Sequence, residues 1–215
     1  MTSSFPWVAL KQFLPAKRMA IPRWLGVTPF ITLQTLPGNH QIDVVAYLLW
    51  RQGRRPSEIG LMFRLSDIPL SFGIAIVAYI GYVAVFFVLP RTATVGDGMA
   101  EGPAALQGLL SSQVSLLVGL ALVNPIFEEV VVRAYPMIDL EHLTGSRIVA
   151  VVVSAGVQGY CHLYQGWRGA VALTAMFIIF SVFFVYSGRA VPIILAHLYF
   201  DALGIYLLFR QVRPR

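Results

Sequence analysis

Charged side chains are scarce in this chain of 215 residues: only 12% are Asp, Glu, Lys or Arg, whereas 57% are hydrophobic. A soluble domain carries about 25% charged residues, so the composition excludes an ordinary soluble fold. It predicts an all-α, polytopic bundle of about five to six transmembrane helices. We expect an integral membrane protein of a bacterial or archaeal inner or plasma membrane.

Cysteine is nearly absent, since Cys161 is the single one. An internal disulfide is therefore excluded, and no zinc-finger spacing is present. The net charge of +6 raises the question of nucleic acid. The basic residues cluster near the N-terminus and in loops, as the positive-inside bias of membrane proteins requires. We therefore expect the lipid bilayer, and not nucleic acid, as a partner.

Five apolar stretches are candidate membrane spans: 70–89, 109 towards 140, 148–163, 169–188 and 190–209. A span needs about 20 residues, and the third stretch is short of that length. Before them, residues 1–68 form a basic N-terminal region in which 24–50 predicts an interfacial or broken helix. Residues 69–215 form the predicted helical membrane domain.

Two adjacent glutamates, Glu128 and Glu129, interrupt the second stretch. Residues 102–127 carry no charge, three valines follow the pair, and Arg133 comes next. A charge at the bilayer centre costs roughly 2.5–3.5 kcal/mol on insertion scales, so it usually has a partner and a function. Glu129 and Arg133 are four residues apart, which predicts an ion pair on one helix face. By spacing, Glu128 has no such partner.

The third and fifth stretches also carry polar faces. Ser154, Gln158 and His162 recur at helical spacing, and His197 and Asp201 are separated by four residues. Counting about 1.5 Å per residue from the intervening turns places Glu129 and His162 at similar depth, with His197 roughly 12 Å beyond its own turn. The sequence therefore predicts one interior site built by three helices.

On the second stretch, Asn124 and Glu128 share a face, and Pro125 between them is expected to kink the helix. Water activation is the chemistry that fits this set. A desolvated carboxylate is a competent general base. One imidazole can orient the water, and a second, held by a carboxylate, can donate to a developing oxyanion.

Structural roles compete with these catalytic ones. Glu129 and Arg133 can simply satisfy each other as a buried pair, and Asp201 can merely orient His197. Gln158 is interpreted as a helix-packing residue. The whole set also suits a proton relay, which leaves a proton-coupled transporter as an alternative.

The three motifs resemble those of the CPBP family of intramembrane proteases, which includes type II CAAX prenyl endopeptidases and bacteriocin-processing or immunity proteins. The pattern E-E-x-x-x-R occurs at 128–133 and H-x-x-x-D occurs at 197–201, while the segment that corresponds to the family's F-x-x-x-H reads Gln158-Gly159-Tyr160-Cys161-His162. The residues His162-Leu163-Tyr164-Gln165-Gly166 are also similar to the family. The resemblance covers about residues 109–205. Gln158 departs from it, because the family usually has Phe there.

The resemblance implies an intramembrane endopeptidase that hydrolyses a peptide or protein substrate at the membrane, with CAAX-type processing as one form of that activity. The residues it implies for the site are Glu128, Glu129, Arg133, His162, His197 and Asp201. Glu128 would activate water with help from His162. His197 and Asp201 would stabilise the oxyanion, and Glu129 and Arg133 would support the site.

We expect no cofactor, although two glutamates and two histidines are a set that zinc can bind. The other reading of the same resemblance is a non-catalytic membrane scaffold or immunity protein.

Overall fold

The computed structural model describes residues 47, 49–90, 114–163 and 166–212, and over these ranges it contains helices and no strand. The all-α prediction is confirmed. The predicted interfacial helix at 24–50 lies almost wholly outside the described residues, as does the start of the second stretch at 109. Within the described ranges the helices are α1 Asp67–Val88, α2 Val114–Phe127, a π-helix Glu128–Ala134, α3 Tyr135–Thr144, α4 Arg147–Cys161, α5 Trp167–Ser187 and α6 Val191–Val212, preceded by a 3₁₀ turn Pro56–Ile59.

Two of these helices, α1 and α5, are long and apolar enough to cross a membrane by length and composition. The apolar parts of α4 and α6 are shorter, so the count of five to six spans stays a prediction. Large apolar side chains of α1 face outward, among them Phe72, Ile76, Ile80 and Phe87. Such a face suits lipid and not water.

Helix α5 lies at the centre of the bundle and packs against both α1 and α4, while α6 packs against α1. Its buried face carries Met176, Phe177, Phe180 and Phe184. Ile74 and Ala78 of α1 and Ile193 of α6 complete the same core. The polar groups of the other helices therefore pack against the aromatic face of α5.

The turns at one end of the bundle are tied together by charged and backbone contacts. Asp67, fully buried, pairs with Arg189, and the Ala190 N–H donates to the Gly60 carbonyl at 3.0 Å. The guanidinium of Arg147 lies 5.7 Å from the ring centroid of Tyr186. The α3–α4 and α5–α6 turns are thus on the same side, as the depth count predicted.

The π-helix between α2 and α3 has a local cause in two prolines. Pro125 near the end of α2 and Pro136 at the start of α3 both lack the N–H that an α-helix needs, and a proline ring also clashes with the carbonyl four residues back. For Pro136 that carbonyl belongs to Val132. The backbone widens instead, and the Tyr135 N–H reaches the carbonyl of Val130, five residues back. Such turns are frequent at functional sites, and this one contains the glutamate pair.

Candidate active site

Arg133 lies at the centre of the polar cluster and is completely buried. Its guanidinium donates to Glu129, to Ser181 and to the Gln158 side-chain oxygen, and to the Phe177 carbonyl at 2.8 Å. The predicted Glu129–Arg133 pair is confirmed. Because a buried charge is tolerated only when paired and hydrogen-bonded, these contacts explain how an arginine is accommodated between α4 and α5.

Glu129 is also fully buried and joins Arg133 to His197. Its Oε1 oxygen lies 2.8 Å from Nδ1 of His197. A carboxylate only accepts hydrogen bonds, so Nδ1 carries the proton and donates. This fixes the imidazole and turns its Nε2 towards the other carboxylates.

His197 Nε2 faces Glu128 and Asp201. The Oε2 of Glu128 and the Oδ1 of Asp201 each lie 3.9 Å from that nitrogen, which is too long for a direct hydrogen bond. Asp201 therefore lies within ion-pair distance of His197 without a direct hydrogen bond to it, and its orienting role stays a prediction. Glu129 makes the orienting hydrogen bond, because the π-helix brings its carboxylate to Nδ1.

Glu128 differs from its neighbour in exposure and partners: its side chain is 16% exposed, whereas that of Glu129 is fully buried. The Asn124 amide donates to its Oε1 at 2.6 Å, and the Gln158 amide approaches its Oε2 at 3.5 Å. Arg133 donates to Glu129 and not to Glu128. As the spacing predicted, Glu128 lacks the arginine, and it is the accessible member of the glutamate pair.

His162 ends α4 with backbone angles of −98° and 5°, outside the regular helical region. Its Nδ1 lies 2.8 Å from the Gln158 carbonyl, which can only accept, so Nδ1 is the protonated nitrogen. The Phe177 ring lies between the histidines, with centroid distances of 5.2 Å to His162 and 6.0 Å to His197. Asp201 interacts electrostatically with both His162 and Glu128. These three groups therefore belong to one site.

Residues 110–203 match a family model described as type II CAAX prenyl endopeptidase Rce1-like. This segment is therefore similar to Rce1-like domains. The match confirms the resemblance to CPBP intramembrane proteases that the motifs indicate, and it includes all six predicted site residues. No curated protein and no solved structure gives a significant match to the chain.

The Rce1-like family is a family of proteases, so the similarity supports a peptidase with peptide or protein substrates. The two membrane-capable helices, of which α5 lies inside the matched segment, fit an integral membrane protein. The roles of individual residues are not settled by the match and stay predictions.

Sequence reasoning missed two residues that contribute to the candidate site. Gln158, interpreted as a packing residue, contacts both Arg133 and Glu128. Ser181 of α5 accommodates Arg133, although its stretch carried no charge or polar periodicity. Two sequence features could have indicated them: a serine within the apolar stretch 169–188, and a glutamine where the family usually has Phe. Each feature is weak alone.

Metal binding was tested on the arrangement of the donor groups. Within the described ranges, no three His, Cys, Asp or Glu side chains are placed so that they could hold one ion. Glu129 and Nδ1 of His197 are already bonded to each other. Independence from a metal stays a prediction.

Proposed function

We propose that this protein is an intramembrane endopeptidase in which Glu128 activates the attacking water. The observation that carries the proposal is the position of Glu128. Its side chain is 16% exposed, and its Oε2 lies 3.9 Å from His197 Nε2, beside the buried Glu129–Arg133 pair. A water oxygen within about 2.6–3.2 Å of both Glu128 and His197 would be close enough for Glu128 to take its proton as a general base.

The proton balance follows from these positions. Glu128 takes a proton from water, and the resulting hydroxide attacks the carbonyl carbon of the scissile peptide bond. The tetrahedral intermediate then expels the amine, which receives the proton held by Glu128. No serine or cysteine nucleophile takes part.

The imidazoles supply the polar environment of the intermediate. His197 is fixed through Nδ1 by Glu129, so Nε2 faces the reacting groups with little freedom to turn. With both ring nitrogens protonated, His197 keeps its Nδ1 bond to Glu129 and donates from Nε2 to the developing oxyanion, and this preorganised donor needs no reorganisation during the reaction. His162, held by its own Nδ1 contact, is positioned by its proximity to Asp201 to assist from the end of α4.

CAAX-type processing is the finer form of the proposal and rests on the Rce1-like match. The substrate would then be a prenylated protein whose terminal residues lie at the membrane surface. Purified protein in proteoliposomes should cleave a quenched farnesylated peptide that ends in cysteine, two aliphatic residues and one variable residue. A matched peptide without the farnesyl group is the control, and equal cleavage of both would remove prenyl recognition while keeping the endopeptidase.

The endopeptidase itself is tested without choosing a substrate. Membranes of cells carrying wild type and Glu128→Ala are compared by proteomics for terminal fragments that depend on Glu128. If neither these membranes nor the peptide assay reveals Glu128-dependent cleavage, the proposed function is rejected. A phenotype that survives Glu128→Ala would favour the non-catalytic scaffold.

A further inference from the structure

Gln158 occupies a place between the buried arginine and the accessible glutamate. Its side chain is 1% exposed. The Oε1 oxygen accepts from Arg133 Nη2, and the Nε2 nitrogen points to Glu128 Oε2 at 3.5 Å. No water is needed to satisfy either end of the amide, so its orientation is set by its two charged neighbours.

The chemistry of arginine decides which way the amide faces. A guanidinium has five donors and no acceptor, so only the oxygen of Gln158 can face Arg133. The NH₂ group must then face Glu128, whose carboxylate only accepts. Arg133 is itself fixed by Phe177, Ser181 and Glu129. The Gln158 NH₂ group that faces Glu128 is thus positioned through Arg133, which is held by residues of α5.

We infer that Gln158 is a positioning residue that holds the Glu128 carboxylate in its reactive orientation. Asn124 donates to Oε1 at 2.6 Å and Gln158 approaches Oε2 at 3.5 Å, so each carboxylate oxygen has one amide donor. Two donors on opposite oxygens restrict rotation of the carboxylate. They also leave a lone pair on each oxygen for water.

A phenylalanine at position 158, the residue usual in the resembled family, has neither the acceptor for Arg133 nor the donor for Glu128. The relay from Arg133 to Glu128 is therefore a feature of this chain's own sequence. It rests on the proposed role of Glu128 as the base. The competing interpretation is that Gln158 serves only as an acceptor for Arg133.

Gln158→Glu separates the two interpretations. The new carboxylate still accepts from Arg133 but puts an oxygen, not an NH₂ group, against Glu128. If Gln158 positions Glu128, kcat falls about 10- to 100-fold, less than the loss of about 10²–10⁴-fold expected when the general base itself is removed, while KM and the melting temperature stay close to wild type. If Gln158 is only an acceptor, kcat is unchanged, and the inference is overturned.

Gln52→Glu is the matched control. Gln52 donates to the Tyr135 hydroxyl at 3.0 Å, so the new carboxylate lies beside a tyrosine and not beside Glu128. The control introduces the same change away from Glu128 and is expected to keep wild-type kcat.

A second variant keeps the test decisive if Gln158→Glu folds poorly. Gln158→Met preserves the length of the side chain and removes both hydrogen-bonding ends, so both the melting temperature and kcat per folded molecule should fall. A Met variant that is less stable but retains wild-type kcat would also overturn the inference.

The assay uses the substrate that wild type cleaves and Glu128→Gln does not. If Glu128→Gln remains active, or wild type cleaves nothing, the proposed function has failed and this inference fails with it. If Glu128→Gln is inactive and Gln158→Glu is fully active, only the role of Gln158 is rejected.

Discussion

The Nδ1 nitrogen of His197 lies 2.8 Å from the Oε1 oxygen of Glu129, and this contact joins α6 to the π-helix. Both groups are buried, since Glu129 is 0% and His197 is 5% exposed. The glutamate therefore has two neighbours of opposite kind, a permanent cation in Arg133 and an imidazole that it orients. This double role divides the glutamate pair into a supporting member and an accessible one.

Asp201→Asn is expected to leave the tautomer of His197 unchanged, because Asp201 lies near Nε2 and does not contact Nδ1. ¹⁵N NMR of histidine-labelled protein, with His197→Phe for assignment, measures which nitrogen carries the proton. Glu129→Ala should disturb the same signals. A tautomer change in Asp201→Asn would restore Asp201 as the orienting carboxylate.

Glu128→Gln is expected to reduce cleavage by about 10²–10⁴-fold, the usual contribution of a general base, while the protein stays folded and inserted. The glutamine keeps the size of the side chain and an oxygen that can accept from Asn124. The measurements are the cleavage rate and the melting temperature in detergent. Glu141→Gln, which alters an exposed ion pair with Arg147, serves as the control, and retained cleavage in Glu128→Gln would reject the assignment.

Arg133→Ala is expected to destabilise the protein by about 3–5 kcal/mol, because removing one partner of a buried pair strands the other charge. It should therefore cost far more stability than Glu128→Gln. Denaturant unfolding in detergent compares the two variants, with Arg147→Ala at the exposed pair as the control that changes little. Equal stability of Arg133→Ala and Glu128→Gln would count against the pairing of Arg133 with Glu129.

Activity is expected not to require bound zinc. The described donor groups do not converge on one point, and Glu128, His162 and His197 each have an explanation as base, assisting group and oxyanion donor. Elemental analysis of active protein is combined with chelator treatment and metal restoration. Stoichiometric zinc, with activity lost on removal and regained on return, would reassign these residues as ligands.

Ser154→Ala is expected to cost about 1–3 kcal/mol, the penalty for an unsatisfied buried group. The Ser154 hydroxyl donates at 3.3 Å to the Val132 carbonyl. Pro136, four residues after Val132, has no N–H to donate to that carbonyl. Thr144→Ala is the matched control, since its hydroxyl also bonds a backbone carbonyl, that of Leu140 at 2.7 Å, but in an exposed position where water replaces it. Equal losses in the two variants would mean that burial of the Val132 carbonyl is unimportant.

Local spacing predicted part of the site because the relation between Glu129 and Arg133 depends on one helix. Counting residues from short turns predicted that α4 and α6 bring their histidines to the same region. The roles of Gln158 and Ser181 depend on where the Arg133 guanidinium ends between α4 and α5, which no periodicity reveals. Glu129 reaches His197 Nδ1 because the backbone forms a π-helix there. That π-helix depends on Pro125 and Pro136, one on each side of it, which helical spacing alone does not show.

Glu128, Glu129 and Arg133 lie between Pro125 and Pro136. The directions in which their side chains point therefore depend on the number of residues between the two prolines. Deleting Val131 would keep both prolines and shorten the segment between them by one residue. It would also turn Arg133 by about 100° relative to Glu128 and Glu129, the rotation of one residue in a helix. The guanidinium would then leave the Phe177 carbonyl and Ser181, whereas Val131→Ala would only trim a buried side chain. In this segment, a lost residue is therefore more harmful than a changed one.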